Sequence, residues 1–450
     1  MKKNIIQNLI KISFIVFVLS VPFSYVYSLN FLENNKSYTS FSLYNIYLID
    51  ITAIILVLTV ILNLYWHKKS ILTFCSRNIA RYVPTLVFAV FAFLSFIWSG
   101  SPFLSAFWGL RVLIIALSLF AILYLVKNSD FYKNIFFKVL IATGVIEGLI
   151  ALGQFLFQKS LGLYFLGEGH LESNVLGLAR IDLLGHGLLR AYGTFPHPNV
   201  LGGFLLFTTV ATVWYKSVKY RNILLTVQLI GLGLTFSRSA ILGLLLIIFI
   251  TFLSSRTKRS GAEARPLDSL GMTTIIILLI SLSLLFLRSP IQKILSGNDE
   301  TINIRLEYSK AAFGRFLDSP ILGRGWGTGP IELPAFSKFP FYSWELQPVH
   351  NIYLLVLSDL GIIGLLIFLY FIYRILFSRG GFKTRPYTEN IWRYLFIAYL
   401  FIGLFDHYLL TLPQGIFIFF ASALLACELE KKEEKIPLRA KSNKIFPLSD

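Results

Sequence analysis

The feature that most constrains this chain is a series of long apolar runs separated by short polar connectors. Each run holds roughly 17 to 25 residues, the length that an α-helix needs to cross the hydrocarbon core of a bilayer. The twelve runs lie at residues 10–28, 43–65, 82–98, 103–126, 135–157, 199–215, 222–236, 238–254, 272–288, 351–372, 393–409 and 413–428. The sequence therefore predicts an all-α, polytopic membrane protein of about 12 transmembrane helices, in one integral-membrane domain at 1–450.

Composition and charge support this fold class and set its orientation. The chain is 56% hydrophobic and 14% charged, with a mean hydropathy of +0.70, far from the mix of a soluble domain. The net charge of +18 could suggest nucleic acid, but most Lys and Arg fall in alternate connectors and in the basic tail 429–450. This is the positive-inside pattern, so we expect both termini in the cytoplasm, the bilayer as a partner and no nucleic acid. The first run also resembles a signal peptide, although it is long for one.

The longest polar interval, 289–349, is then an outer loop, facing the periplasm or the cell exterior. It opens with a predicted helix at about Ile302–Leu317, which Pro320 ends. The apolar residues of this helix fall roughly on one face, which suits a helix lying on the membrane surface. They are Ile304, Tyr308, Ala311 and Phe316.

Three short polar motifs lie at the predicted outer ends of helices: RAYGTFPHPN, FSRSA and QPVHN. Ser237 is a natural N-cap that puts Arg238 in a first helical turn, and His350 lies in or next to another first turn. Arg190 precedes a helix that begins after Pro198. Helix amino ends and guanidinium groups favour anions, and phosphate is an anion that membrane lipids offer. A single such arginine could instead bind lipid headgroups, but three motifs together favour a substrate site.

Further substrate contacts are expected next to these motifs. Tyr192, His197 and Asn199 flank Arg190, and Asn351 follows His350. In the outer loop, the glycines of GRGWGTG would let the backbone approach a ligand.

The same glycine-rich stretch and the segment after it add candidates for phosphate and sugar binding. Arg324 would be a third phosphate contact, and Trp326, Tyr342 and Trp344 offer flat faces to sugar rings. Ordinary anchoring at the membrane interface explains these aromatic residues equally well.

Other polar residues are candidates for ion coupling or metal binding. Asp50, Arg111 and Glu147 lie within apolar runs, where charge is costly. A structural role is favoured for them, with Arg111 either reaching the interface or pairing with a carboxylate, for which Glu147 is a candidate. The outward histidines His170, His186 and His197 lack metal-ligand spacing, so no metal site and no cofactor are predicted.

Taken in order, RAYGTFPHPNVLGG, LTFSRSAILGLL and HNIYLLVLSDLGIIGLL resemble the bacterial O-antigen ligase family over about residues 185–370. This family includes lipid-linked oligosaccharide polymerases and protein O-oligosaccharyltransferases. The resemblance implies a glycosyltransferase of the bacterial inner membrane that works on the outer face, without metal or nucleotide sugar. The implied donor is a glycan on undecaprenyl pyrophosphate, and the acceptor is lipid A core, a protein hydroxyl or a lipid-linked glycan. The motif arginines of the family fall on Arg190 and Arg238, and its histidine falls on His350; Asp359 stands where Glu is common.

The chemistry of these residue types agrees with the resemblance. Arginines can stabilise a departing pyrophosphate in place of a metal ion, and a neutral histidine at a helix amino end can take the proton of an acceptor hydroxyl. Polymerisation of lipid-linked repeat units by the same chemistry is the nearer alternative. A glycolipid transporter or flippase is an alternative of another class, in which Asp50, Arg111 and Glu147 would couple ions. Transporters often carry internal repeats, and none is visible between the two halves of this sequence.

Overall fold

The computed structural model describes residues 2–28, 44–66, 79–172, 175, 177–183, 186–256, 300–342, 345–377 and 391–428. The predicted run at 272–288, residues 289–299 of the outer loop, Trp344 and the basic tail 429–450 lie outside these ranges.

Helices dominate the described residues. In chain order they are α1 (Lys2–Ser20), α2 (Leu48–Trp66), α3 (Ile79–Leu94), α4 (Pro102–Asn128), α5 (Asp130–Phe157), α6 (Pro198–Trp214), α7 (Arg221–Leu234), α8 (Arg238–Arg256), α9 (Glu300–Asp318), α10 (Gly329–Phe336), α11 (Ile352–Phe377), α12 (Ile391–Ile402), α13 (Tyr408–Thr411) and α14 (Pro413–Glu428). Two short antiparallel hairpins join them, β1 (Val26–Ser28) with β2 (Asn45–Tyr47) and β3 (Arg180–Leu183) with β4 (His186–Leu189).

Within the described ranges, four helices are long and apolar enough to cross a membrane: α2, α4, α5 and α11. Seven more apolar segments of 10–17 residues, in α1, α3, α6, α7, α8, α12 and α14, fall on predicted runs. The all-α membrane architecture is therefore confirmed, whereas the number of about 12 spans stays a prediction.

The centre of the bundle is α14, which packs against α4, α6 and α12. Its consecutive residues Phe417, Ile418, Phe419 and Phe420 are all 0% exposed. A helix that is apolar on every side is buried on every side, and α14 fits that rule. By contrast, α2 exposes Leu58 and Ile61, as expected of a helix at the bundle's edge.

The charged residues in the predicted runs have structural partners. The Arg111 guanidinium lies 2.9 Å from the Asp50 carboxylate, and Asp50 also accepts the backbone N–H of Tyr47 at 3.0 Å. The expectation that Glu147 could pair with Arg111 is thus wrong, because Asp50 takes that place. Buried pairing of this kind satisfies charges that would otherwise be costly at membrane depth.

The outer loop docks into a break in α11. Gly361 has φ 65° and ψ −167°, which interrupts the helix, and the N–H of Ile362 donates to the Pro320 carbonyl at 2.9 Å. On the loop side, the N–H of Gly325 donates to the Asp359 carbonyl at 2.9 Å. A Cβ at Gly361 would lie 2.3 Å from the Ile321 oxygen, so only glycine allows this approach. Gly325 and Gly361 thus bring the loop backbone against the backbone of α11. The predicted approach of the loop glycines to a ligand stays a prediction.

Candidate functional site

Two side chains of α5, about two helical turns apart, hold the loop that carries Arg190. The Gln154 side chain accepts the N–H groups of Tyr192 and Gly193 and donates to the Gly193 carbonyl at 2.8 Å. The Glu147 carboxylate accepts both the hydroxyl of Thr194, at 2.7 Å, and its N–H, at 3.0 Å. Gly193 has φ +60°, and a Cβ there would lie 2.3 Å from the Glu147 carboxylate. The GTF motif is therefore bound to α5, and it fixes the position of Arg190 just before it.

Arg190 is oriented by two hydrogen bonds. Its Nε donates to the Thr235 carbonyl at the end of α7, and its Nη2 donates to Oδ1 of Asn199, both at 2.7 Å. Nδ2 of Asn199 in turn donates to the Asp406 carboxylate at 2.6 Å. Burial lowers the pKa of Arg190 to about 10, so the side chain is cationic at neutral pH.

Arg238 is the first residue of α8, close enough to Arg190 for the two charges to interact. The helix begins at Arg238 as predicted, and the Ser237 hydroxyl lies 3.5 Å from the Ala240 N–H that an N-cap would accept. Phe236, at φ +48°, turns the chain sharply from α7 into α8. The Arg238 side chain is exposed, and its charge contributes to lowering the pKa of Arg190. Arg190, through its bond to Thr235, and Arg238 thus both lie where α7 meets α8.

His350 lies between α9 and the α12–α13 connector. Its ring stacks on Tyr308 with centroids 5.5 Å apart and planes 8° apart, and it meets the His407 ring edge-on at 4.8 Å. Burial lowers its pKa well below 6.5, and the charges of His407, Arg305 and His197 lower it further. The ring is therefore neutral at physiological pH, as the sequence suggested.

The cause of that neutrality differs from the prediction. Asn351, not His350, caps α11, because its Oδ1 accepts the N–H groups of Tyr353 and Leu354 at 3.0 Å. His350 lies one residue before this cap. Burial, rather than a position in the first helical turn, accounts for most of the shift.

Four residues predicted to bind substrate have internal partners in the structure. Nδ1 of His197 accepts the N–H of Asn199 and caps α6, and the Tyr192 hydroxyl accepts the N–H of Ala179. Asn199 bridges two charged side chains, and Asn351 caps a helix. Burial, followed by the charge of Arg190, lowers the pKa of His197 to about 3. These residues shape the site, and their predicted contacts with substrate stay predictions.

Arg324 and Trp326 lie in a different environment from the one predicted. Arg324 pairs with Glu332 at 2.7 Å and with Asp318, and Trp326 is 2% exposed with its ring edge-on to Phe88. A buried indole offers no face to a sugar, and a doubly paired guanidinium is poorly suited to phosphate. Both side chains thus have partners within the protein, and the phosphate and sugar contacts predicted for them stay predictions. Tyr342, 61% exposed, keeps an accessible ring.

Asp359 belongs to the same buried network. Its carboxylate lies 2.6 Å from the Arg315 guanidinium and accepts the N–H of Gly327 at 2.9 Å. Arg315 also pairs with Glu332 at 3.0 Å, which ties α9 and α10 to the break in α11. The Asp359 carboxylate thus anchors the outer loop to α11.

Sequence reasoning missed four residues around His350: Arg305 and Tyr308 on α9, and Asp406 and His407 after α12. Tyr308 belongs to the apolar face that was predicted to lie on the membrane surface, whereas in the structure it packs on His350. Arg305, three residues earlier, shares it. Asp406 and His407 were hidden within the predicted run 393–409, because the flanking residues are apolar. Two adjacent ionisable residues in such a run were the available signal.

Within the described residues, no group of three or more His, Cys, Asp or Glu side chains gathers as a metal ion would require. His170 lies on the outer surface, 3.8 Å from the Glu172 carboxylate, and His186 lies on β4. The three outward histidines thus occupy separate places.

A family model matches part of the chain. Residues 223–369 match the family model described as O-antigen ligase, a segment that includes Arg238, His350 and the broken helix α11. A search of curated proteins finds no match. Arg190 and the Asp406–His407 pair fall outside the matched segment, although they pack beside it. Over this segment, the chain is similar to the O-antigen ligase family.

Proposed function

We propose that this protein transfers a glycan from undecaprenyl pyrophosphate to an acceptor hydroxyl on the outer face of the bacterial inner membrane, without a metal ion. The observation that carries the proposal is the juxtaposition of cationic arginines and a neutral histidine. Arg190 is linked through Asn199 to Asp406, whose neighbour His407 meets the His350 ring. His350, which can exchange a proton, thus lies close to arginines whose positive charge can bind an anion.

In the proposed reaction, His350 accepts a proton, and Arg190 and Arg238 stabilise the leaving group. The acceptor oxygen attacks the anomeric carbon of the donor glycan while its proton passes to His350. The bond between that carbon and the phosphate oxygen breaks, and the lipid pyrophosphate leaves with the electron pair and one more negative charge. Arg190 and Arg238 stabilise this charge with fixed N–H donors and positive charge, the role that a metal ion has in many soluble transferases.

The transporter alternative receives less support. The intramembrane groups that would couple ions, Asp50 and Glu147, are held by Arg111 and Thr194. Such contacts suit fixed structural roles rather than groups that must change partners during transport. Polymerisation uses the same chemistry as ligation, so only the acceptor separates the two reactions.

The proposal is tested by the product that the purified protein makes in liposomes. A lipid-linked oligosaccharide donor is offered with lipid A core, with a peptide bearing hydroxyl groups, or alone, in buffer with excess EDTA. We expect glycan on one of these acceptors and full activity in EDTA. Activity lost in EDTA and restored by one divalent ion would overturn metal independence, and glycan crossing the bilayer with no new glycosidic bond would favour the transporter.

The role of Arg238 is tested in the same assay. Arg238→Lys keeps the charge but loses the two-pronged guanidinium, so donor binding should weaken about tenfold and turnover should slow. Arg180→Lys, on the exposed outer hairpin, is the matched control and should act like wild type. If the two variants bind donor and turn over equally well, Arg238 does not contact the donor.

A further inference from the structure

A row of aromatic rings in the outer loop ends at His350. The ring of Tyr308 stacks on His350, with centroids 5.5 Å apart and planes 8° apart, and on Phe341, with centroids 5.4 Å apart and planes 11° apart. Phe339 extends the row, with its ring centroid 4.9 Å from that of Phe341. Ring contacts therefore lead from the proposed base, through α9, to the segment that follows α10.

The far end of this row is accessible. Phe339 and Phe341 are half-buried, and the neighbouring Tyr342 is 61% exposed, whereas Tyr308 is only 3% exposed. We call Phe339, Phe341 and Tyr342 the aromatic patch. An accessible aromatic ring offers a flat apolar face to the C–H groups of a sugar ring, whose hydroxyl groups can stay in water. The patch thus has the surface chemistry that a carbohydrate requires.

The aromatic patch is fixed to α9 on both sides. Before the patch, the Ser337 hydroxyl donates to the Glu307 carboxylate at 3.1 Å. After it, the Tyr308 hydroxyl donates to the Glu345 carbonyl, and the Glu345 carboxylate accepts the N–H of Tyr342 at 2.8 Å. A surface that is ordered in advance binds with a smaller loss of entropy. Fixing the patch relative to the base suits a ligand that must be placed accurately, whereas a membrane anchor needs no such alignment.

The aromatic patch and the arginines approach His350 differently. The hydrogen bonds that begin at Arg190 end at Asp406, whose neighbour His407 meets the His350 ring edge-on, at 85°. Tyr308, by contrast, stacks on the ring with nearly parallel planes. In a one-step displacement, the attacking oxygen and the leaving oxygen lie on opposite sides of the anomeric carbon. With the pyrophosphate on the arginine side, the acceptor takes the aromatic side.

We propose that the aromatic patch is the acceptor subsite and that the acceptor is a carbohydrate, one of whose sugar rings stacks on Tyr342 and Phe341 while its hydroxyl reaches His350. This inference rests on the proposed function and narrows its acceptor, because a protein hydroxyl brings no sugar ring to stack. Since the patch meets His350 through Tyr308, the stacked ring belongs to a sugar next to the one that carries the reacting hydroxyl.

The test changes the shape of one exposed side chain while keeping it apolar. Tyr342→Leu removes the flat ring but can still contact lipid, and Tyr342→Trp keeps a flat ring. Transfer is measured in liposomes with lipid A carrying its core oligosaccharide, or a lipid-linked repeat unit, as the acceptor. We expect Tyr342→Leu to raise the acceptor KM about 3- to 10-fold, the usual effect of a lost aromatic contact, with kcat and donor KM unchanged. Tyr342→Trp should behave like wild type.

Two controls accompany this comparison. Tyr27→Leu removes a tyrosine of similar exposure, 66%, from β1 and should leave all three constants unchanged. An acceptor trimmed to its single reacting sugar has no second ring for the patch, so wild type and Tyr342→Leu should share the same KM for it. A purely structural role of Tyr342 predicts instead that Tyr342→Leu impairs transfer to the trimmed and the full acceptor alike.

The outcomes separate this inference from the proposed function. If wild type transfers glycan and Tyr342→Leu leaves the acceptor KM unchanged or alters the donor KM instead, only the acceptor subsite is overturned. The same holds if wild type uses a peptide bearing hydroxyl groups and neither carbohydrate acceptor. If wild type forms no glycosidic bond with any acceptor, the proposed function and this inference both fall.

Discussion

At the scale of single residues, the protonation of His350 decides when the site can work. A general base must be unprotonated, and His350 has a pKa well below the ordinary 6.5 of histidine because it is buried and close to His407, Arg305 and His197. Lowering the pKa extends the neutral form to more acidic pH. The same burial that stabilises the neutral ring weakens it as a base, so its hydroxyl substrate must be aligned closely.

The first prediction at this scale is a pH profile. Turnover of the wild-type protein should stay level from pH 8 to about pH 6 and fall only at lower pH, because the folded-state pKa of His350 lies below that of free histidine. The measurement is kcat at saturating donor and acceptor in liposomes. An acid limb centred at pH 6.5 or higher would show that a different or more exposed base acts.

The second prediction concerns His350→Ala. Turnover should drop by about 10² to 10⁴-fold, the usual range for a lost general base, while the Kd for undecaprenyl pyrophosphate stays close to that of wild type. His186→Ala, an exposed histidine of the outer hairpin, is the control and should keep full activity. A His350→Ala protein that folds and transfers at the wild-type rate would leave His350 with a purely structural role.

At the scale of elements, α5 determines where Arg190 lies. Gln154 is fully buried and bonds the backbone of Tyr192 and Gly193, and Glu147, seven residues earlier, bonds Thr194. Both side chains lie on the same side of α5, since seven residues make about two helical turns. The charged and amide groups in this membrane helix therefore act on the site through the loop that they hold.

This arrangement predicts that Gln154 and Arg190 are coupled. Gln154→Leu should raise the Kd for undecaprenyl pyrophosphate, because the loop loses its hydrogen bonds and Arg190 is displaced. In an Arg190→Ala background the same change should add little, giving a clear departure from additivity. Calorimetry on the two single variants and the double variant measures the coupling, with Leu149→Ala, on the exposed side of α5, as control. Additive effects would mean that Gln154 acts independently of Arg190.

The elements also show what could be predicted from sequence. The start of α8 at Arg238 was predictable, because Ser237 is a local N-cap signal. The break at Gly361 was not, because hydropathy continues across it and the partner backbone comes from the distant loop residues 320–325. The burial of Trp326 was not predictable for the same reason. The sequence does not show whether an aromatic residue of this loop contacts lipid, sugar or a distant side chain such as Phe88.

At the scale of the whole molecule, the arrangement depends on which side of the membrane each connector faces. Arg190, Arg238, Arg305 and His350 can share one site only if the segments before α6, before α8, along α9 and before α11 are all on the same side. The contacts of Arg190 with Thr235 and of His350 with Tyr308 meet that condition. The distribution of Lys and Arg predicts that this side is the outside.

Cysteine labelling tests that assignment directly. In a background without Cys75 and Cys427, single cysteines replace His186 on β4 and Lys338 in the outer loop, and Asn128 and Lys219 in connectors on the opposite side. All four positions are exposed, so reactivity reports the side of the membrane rather than burial. We expect His186→Cys and Lys338→Cys to react with an impermeant maleimide in intact cells, and Asn128→Cys and Lys219→Cys to react only after permeabilisation. Labelling of Lys219→Cys with protection of Lys338→Cys would place the arginines and His350 on the cytoplasmic side, out of reach of a glycan acceptor outside the cell.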